Sequence, residues 1–274
     1  MPESGDMEPE SDAQAQRDLM YGQFDLGSLS IFSGSFINFG YWGDLEPDRE
    51  ITAEERVESH AELYRKVATS LRPEPGDRLL ELGCGLGVGT ALVASEYDVL
   101  VSGMDRSATQ LRRALAINAN AIEALGGALS FVQGSVTDLP WGDATVDGVY
   151  AVEVLQHVDD LAAVAREAHR VLKPGGRFAA ATFFAPDGAD AAPVADLLET
   201  VASGADVIRP VGEFAADLTA AGFTDVSVES IGEHVWRQLD RWIAQTEFRV
   251  SWARNWLRCY ENGLIDYYLV TARR

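Results

Sequence analysis

Cysteine is scarce in this chain: Cys84 and Cys259 are the two thiols in 274 residues. Thiols so far apart make no disulfide framework, and neither belongs to a CxxC pair, so a reducing cytoplasm is the expected compartment. Histidine is also sparse, with four residues, and none is grouped with Cys at ligand spacing, so no metal site is expected. Positive charge is short as well: 22 Lys and Arg stand against 43 Asp and Glu, a formal net charge of −21. That surface repels phosphate backbones and anionic lipid, so neither nucleic acid nor a membrane is an expected partner. No run of about 18 apolar residues exists, so no transmembrane span is expected. The first residues, MPESGDMEPESDAQAQ, hold no Lys or Arg, so no secretory signal is expected there.

What is present reads as a single large α/β unit. Residues 1–16 are polar and acidic, the composition of a disordered tail. Residues 17–75 read as an N-terminal lid and a helix. Thr52, with Glu55 three residues on, forms a capping box that starts a helix to about Leu71, and Pro73 and Pro75 stop it. From residue 76 onward short apolar strands alternate with helices. Strands are expected at 78–82, 99–104, 129–133, 146–154 and 177–184, with helices at 88–97, 107–125 and 160–172 between them. This alternation indicates a parallel sheet covered on both faces. In the last third, 185–210 is rich in Ala, Asp, Gly and Pro, with a possible helix near 194–201. A helix at 211–221, a strand at 225–230, a long aromatic helical segment at 235–260 and a strand at 266–272 follow. Lid insertions are expected at 185–210 and 234–262.

The sharpest motif is Glu81-Leu-Gly83-Cys84-Gly85-Leu-Gly87-Val-Gly89, directly after a strand and opening a helix. Glycines there let the backbone turn tightly and approach a ligand, and the helix start offers free N–H groups. A dinucleotide loop is spaced GxGxxG and receives a pyrophosphate. Here Gly83, Gly85 and Gly87 are spaced by two, and Glu81 beside them disfavours phosphate. S-adenosylmethionine carries an ammonium and a carboxylate but no phosphate, and suits such a loop. Asp105 ends the second strand, the place where an acid grips a ribose diol.

These segments resemble the class I S-adenosylmethionine-dependent methyltransferases, in the branch acting on small molecules. The resemblance runs from about Gln23 to the end and rests on LELGCGLGVGT, Asp105 in GMDRS, GSVTDLPW (134–141), DGVYAVEVLQHVDD (147–160) and LKPGGR (172–177). It implies a Rossmann-like seven-stranded sheet in order 3-2-1-4-5-7-6, with strand seven antiparallel. It also implies that Glu81 and the backbone of Gly83, Cys84, Gly85 and Gly87 hold the methionine end. Asp105 would take the ribose, and Met104 or Arg106 would flank the adenine. Ser135 and Val136 would lie near the adenine amine; Ser135 replaces the acid that usually stands there. Glu153 would lie beneath the sulfonium. Phe36-Ile-Asn-Phe-Gly-Tyr41-Trp42 resembles an N-terminal lid motif that places Tyr41 at the cofactor.

Methyl transfer needs an aligned nucleophile, exclusion of water and, where the nucleophile is a hydroxyl, a base. His157 is the first candidate, after strand four on the carboxyl edge of the sheet, with Glu153 as a second catalytic candidate. An imidazole suits base work near neutral pH; the other reading is a histidine that holds its loop beside Asp159 or Asp160. Gln156 could orient substrate. Tyr21, Trp42, Phe183, Phe184, Trp252 and Trp256 are expected to line an apolar substrate pocket. Phe248, Trp252, Trp256 and Tyr260 recur every four residues, as on one helical face. His60, His169 and His234 read as packing or surface residues. The expected function is methylation of a small, largely apolar natural product, polyketide-like or glycosylated, with oxygen a candidate acceptor. A cyclase that binds the cofactor and folds a polyketide without methyl transfer stays open, as does a non-catalytic binding protein. The chain is expected to act as a monomer or homodimer.

Overall fold

The computed structural model describes Arg17, residues 26–43, Leu45 and residues 49–274. The expected acidic tail and Tyr21 lie outside the described residues. Seven strands form one sheet in the order β3-β2-β1-β4-β5-β7-β6. They are β1 (Arg78–Leu82), β2 (Leu100–Asp105), β3 (Leu129–Gln133), β4 (Val146–Val152), β5 (Leu172–Phe184), β6 (Thr224–Ser230) and β7 (Asp266–Arg273). β7 runs antiparallel between β5 and β6, and β1 to β5 are mutually parallel. The expected class and strand order are therefore those of the molecule.

Period-two alternation divides the core. Tyr150, Val152, Ala179, Ala181 and Phe183 fall in one buried cluster. Val149, Ala151, Phe178, Ala180 and Phe184 fall in the other. Neighbouring residues of a strand point to opposite faces, so each strand feeds both layers. The first layer is closed by α1 (Ala53–Leu71) and α2 (Val88–Glu96), the second by α5 (Leu161–Val171) and α8 (Val211–Ala221). α1 begins with the expected capping box: Glu55 N–H donates to Thr52 Oγ1 at 3.2 Å, and Thr52 N–H donates to Glu55 Oε2 at 2.9 Å.

Two expected helices are broken. The 107–125 segment divides at Asn118 into α3 (Ala108–Ile117) and α4 (Ala119–Leu125). The buried Asn118 amide donates to Leu86 O and Ala114 O, each at 2.8 Å. A side chain that bonds nearby carbonyls competes with the helix ladder, and here it also pins the glycine loop. The 235–260 segment contains α9 (Trp236–Ala244) and α10 (Asn255–Glu261), separated by a bend. At that bend Thr246 Oγ1 donates back to Ile243 O at 2.9 Å and accepts from Phe248 N–H at 3.1 Å. Phe248, Trp252, Trp256 and Tyr260 therefore share no continuous helical face. In the 185–210 insertion, α6 (Val194–Leu197) and α7 (Glu199–Ala202) are single turns. No helix among the described residues is long and apolar enough to cross a membrane.

Candidate active site

A cavity of about 1150 Å³ opens at the carboxyl ends of the strands. Its floor is the β1–α2 loop, where Gly83 and Gly87 have φ of +68° and +69°. A Cβ at Gly83 would sit 2.5 Å from Val154, and one at Gly87 2.4 Å from the Phe131 ring. Only glycine allows this left-handed backbone so close to its neighbours. Cys84 N–H donates to Met104 O and Gly87 N–H to Cys84 O, each at 2.8 Å, which fixes the loop between β1 and β2.

Asp105 faces the cavity from the end of β2. Its Oδ2 accepts from Gly85 N–H at 2.9 Å and its Oδ1 from Ser107 N–H at 2.8 Å. Burial pushes its carboxyl above the usual range, and these two backbone donors oppose the shift. Each oxygen keeps a second lone pair. Gln110, on the first turn of α3, also lines the cavity; its Oε1 is buried and has no partner within the protein. An unpaired buried acceptor costs about 1–3 kcal/mol and marks a place for a ligand donor. Arg106, Ser135 and Val136 line the same side. The Ser135 hydroxyl is turned toward its own bend, 2.8 Å from Thr137 Oγ1.

Glu153 stands just past β4 with φ of +52°, a left-handed conformation that is unusual for a glutamate. Its Oε1 accepts from Phe39 N–H at 2.6 Å and from the Tyr267 hydroxyl at 2.7 Å. Burial raises its pKa to about 7, against the pull of those bonds and of Arg56.

His157 lies one turn further on. Its Nδ1 is 3.1 Å from Ala205 O and 3.1 Å from Asp206 Oδ1; its Nε2 is 3.1 Å from Gln156 Nε2. Gln156 is oriented without ambiguity: Nε2 donates to Glu153 O at 2.9 Å, and Oε1 accepts from Thr182 Oγ1 at 2.6 Å. The amide nitrogen must then donate to His157 Nε2. That assigns the proton of neutral His157 to Nδ1, facing Asp206 and Ala205. The sequence pointed to Asp159 or Asp160 as the histidine's neighbour. Instead Asp159 pairs with Arg17 at 3.0 Å, and Asp160 caps α5 by accepting from Ala163 N–H at 2.8 Å.

Not every expected wall residue reaches the cavity. Phe183 does, 4.7 Å centroid to centroid from Trp256, which lines it together with Trp252 and Phe248. Phe184 points through the sheet to Phe214 (5.9 Å) and Tyr268, because adjacent strand residues cannot share a face. Trp42 is buried with Ile51 and Trp242 under the Arg56 guanidinium, away from the cavity. The Tyr41 ring packs on His234 at 5.0 Å and is likewise outside the wall. Glu81 lies fully buried beneath the loop, where Tyr64, Thr90 and Tyr150 hydroxyls donate to it at 3.0, 2.6 and 3.1 Å. Burial raises its pKa to about 7. Its contacts hold the floor, and Tyr64 rather than Glu81 meets the cavity. Met104 is buried in the second layer; Arg106 alone of that pair is in the wall. Tyr260 packs on Trp236. His60 is buried and stacked on Phe36, and His169 packs edge-on against Phe223.

The sequence reading missed Asp206, Gln110, Thr200 and the roof residues Leu29, Ile31 and Phe32; Phe36, the first residue of the lid motif, completes that roof. Asp206 lies in a segment without periodicity, and only the folded path of 204–206 brings it to His157. The roof is held by Arg56, a fully buried guanidinium. It donates to Ile31 O, Asn38 O, Phe39 O and Ser59 Oγ at 2.9 to 3.3 Å.

A seven-stranded sheet of this order, with a glycine loop facing an acid at the end of β2, defines a class, and comparison with known proteins agrees. The chain belongs to the class I S-adenosylmethionine-dependent methyltransferases, and it is an enzyme of that family. The family model described as a methyltransferase domain matches residues 80–180. The 27-O-demethylrifamycin SV methyltransferase of Amycolatopsis mediterranei is 31% identical over 258 residues, covering 88% of this chain and 90% of that protein. The O-methyltransferase cnsE of Penicillium expansum is 33% identical over 212 residues, covering 76% and 72%. Among solved structures, a geranyl diphosphate C-methyltransferase from Streptomyces coelicolor superposes with a TM-score of 0.80 at 15% identity, covering 97% of this chain and all of that one. The [4+2]-cyclase SpnF superposes at 0.72 with 22% identity, covering 97% of each chain. At such identities these two likenesses concern the fold.

The wall fits the family's cofactor. Gly83 and Gly87 let the loop lie flat against Val154 and Phe131, Gly85 faces open space on the cavity wall, Asp105 retains lone pairs for hydroxyl donors, and Gln110 presents an unpaired acceptor. Among the described residues no group of three or more His, Cys, Asp or Glu side chains could hold a metal.

Proposed function

We propose that this enzyme methylates a hydroxyl oxygen of a small, largely apolar metabolite of polyketide-like or glycosylated type. The observation that carries this reading is the His157–Asp206 pair, 3.1 Å apart, on the wall of a cavity roofed by aromatic and aliphatic side chains. A hydroxyl is a weak nucleophile until a base takes its proton. Of the relatives, one is named a 27-O-demethylrifamycin SV methyltransferase and another an O-methyltransferase. S-adenosylmethionine, when bound, supplies an electrophilic methyl carbon.

The chain's own residues divide the remaining work. Gly83, Cys84, Gly85 and Gly87 would hold the methionine end, Asp105 and Gln110 the ribose, and Arg106, Ser135 and Val136 the adenine side. His157 Nε2 accepts the proton of a substrate hydroxyl that takes the place of the Gln156 N–H. Asp206 and Ala205 O hold the ring through Nδ1–H, and the Asp206 carboxylate stabilises the imidazolium that forms. Glu153 ties the roof at Phe39 to the sheet and brings a carboxyl to the reaction end of the cavity. Phe183, Trp252 and Trp256, with the roof residues, exclude water and bind apolar surface. Residues 26–43, 185–210 and 234–262 serve as lid elements around the cofactor-binding body, which α1 helps to build. Two buried, unpaired thiols, Cys84 and Cys259, support a cytoplasmic location.

The test is to incubate the enzyme with S-adenosylmethionine and an extract of apolar metabolites and to compare masses. The expected result is a species heavier by roughly 14 mass units, with one equivalent of S-adenosylhomocysteine. His157→Gln and Asp206→Asn should each lower the turnover number about 10²- to 10⁴-fold while leaving cofactor affinity unchanged. A consumed metabolite replaced by its isomer, with the cofactor intact, would overturn methyl transfer.

A further inference from the structure

Arg17 comes from the N-terminal segment, yet its side chain is buried in the cavity wall, 5% exposed. Nε donates to Ala205 O at 3.1 Å and Nη2 to Gly204 O at 3.3 Å. Nη1 and Nη2 grip Asp159 as a fork at 3.2 and 3.0 Å. The hydrogen-bonded guanidinium lowers the pKa of the Asp159 carboxyl from its ordinary value. One of these acceptors is shared: Ala205 O also meets His157 Nδ1 at 3.1 Å. A carbonyl oxygen has two lone pairs, so it can serve both donors at once.

We propose that Arg17 is a positioning residue for the base: it fixes residues 204–206 so that Ala205 O and the Asp206 carboxylate select the Nδ1–H form of His157. The proposal rests on the reading of His157 as base for its consequence in catalysis, but not for its structural content. A base that must accept at Nε2 is useful only when its proton is on Nδ1. Two acceptors at Nδ1 favour that state together with the Gln156 amide donor at Nε2, and both acceptors belong to a short stretch between α7 and α8. Within that stretch, Asp206 N–H donates to Thr200 O at 2.9 Å and Val207 N–H to Gln156 O at 2.8 Å. Those bonds hold the segment's course; Arg17 bonds both carbonyls that precede Asp206 while anchoring to Asp159 just after the histidine. A planar guanidinium does this because its donors point in fixed, divergent directions. A lysine ammonium keeps the charge and cannot span Asp159, Gly204 and Ala205 together. The arrangement also makes base geometry depend on Arg17 keeping its place in the cavity wall.

The experiment reads the histidine directly. Full-length enzyme carrying ¹⁵N-histidine and bound to S-adenosylhomocysteine is observed by NMR at alkaline pH, with His157 assigned through its absence in His157→Gln. The wild type should show His157 protonated at Nδ1. Arg17→Ala and Arg17→Lys should both shift it toward the Nε2–H form common in free histidine, with cofactor affinity and the signals of His60 and His169 unchanged. Once a substrate is in hand, Arg17→Ala should lower the turnover number at least tenfold in the wild-type background. In the His157→Gln background the same change should lower it by less than twofold. A His157 that stays Nδ1-protonated in both Arg17 variants overturns the positioning role. So do equal losses from Arg17→Ala in the two backgrounds, which would mark a lid contact acting independently of the base. Correct tautomer behaviour with no dependence of turnover on His157 would retain the positioning of the ring and refute the base assignment instead.

Discussion

Phe39 donates its backbone N–H to Glu153 Oε1 at 2.6 Å, joining the roof of the cavity to the end of β4. The same oxygen accepts the Tyr267 hydroxyl from β7. One buried carboxyl thereby ties together an N-terminal segment, the central strand and the last strand. It also makes the enzyme's stability depend on pH in a definite way.

Glu153 has its pKa raised by burial to about 7, from an ordinary 4.5. A raised folded-state pKa means the folded form binds its proton more tightly than the unfolded form. That stabilisation is complete below about pH 4.5 and is lost as the pH rises through about 7. Glu153→Gln keeps an acceptor for Phe39 and Tyr267 and removes the ionisation. Without bound cofactor, the variant should melt close to wild type near pH 4.5 and above it beyond pH 7, by up to about 3 kcal/mol. Glu81 titrates in the same window, so the comparison is between variant and wild type at each pH, not across pH alone. Identical melting curves at both ends would refute a buried, proton-binding Glu153.

Asp105 faces the cavity with both oxygens engaged by backbone N–H groups. Asp105→Ala should weaken S-adenosylhomocysteine binding about ten- to hundredfold, from the loss of charge-assisted bonds worth about 1.5–3 kcal/mol. Asp105→Asn should fall between. Calorimetric titration measures this, and unchanged affinity in the alanine variant would remove Asp105 from the ribose assignment.

Gly87 and Gly85 form a contrast. Both have positive φ, but a Cβ at Gly87 would strike Phe131, whereas one at Gly85 would meet nothing within 4 Å. Gly87→Ala should destabilise the enzyme by about 2–4 kcal/mol, strain and overpacking together, and abolish cofactor binding. Gly85→Ala should cost about 1 kcal/mol, a backbone penalty alone. Thermal melts of the two variants decide this; equal losses would show that the steric contact is relieved elsewhere.

Arg56 is fully buried, bonds the roof at Ile31, Asn38 and Phe39, and lies 5.0 Å from the Trp42 ring centroid. Arg56→Ala should destabilise by about 3–5 kcal/mol, since it strands these carbonyls in the interior. Arg56→Lys should recover less than half, because one ammonium cannot reach every acceptor. If the body of the fold tolerates the loss, limited proteolysis should cut within residues 26–43 before any strand. Wild-type resistance there in Arg56→Ala would contradict a roof pinned by this side chain.

Local chemistry made much of the enzyme legible in its sequence. The capping box at Thr52 and Glu55 works within one helical turn, and the glycine loop declares itself because only glycine accepts its backbone. Strand and helix periods gave the alternating βα pattern, which implies a parallel sheet covered on both faces; the strand order came from the family resemblance. Phe183 and Phe184 mark where a local rule was overlooked, since period two places them on opposite faces. The break at Asn118 was hidden for another reason: its amide caps a carbonyl 32 residues away, at Leu86.

The sequence by itself determined the fold class and pointed to the candidate cofactor loop, Asp105 and the candidate base, because each rests on residues close together in the chain. Tertiary structure alone decided which aromatic side chains wall the cavity and what holds the base. Asp206 is 49 residues from His157, and Arg17 is 188 residues from Ala205. No periodicity or spacing encodes such pairs. They form because packing Arg17 and residues 204–206 against the carboxyl edge of the sheet buries polar groups that must then find partners.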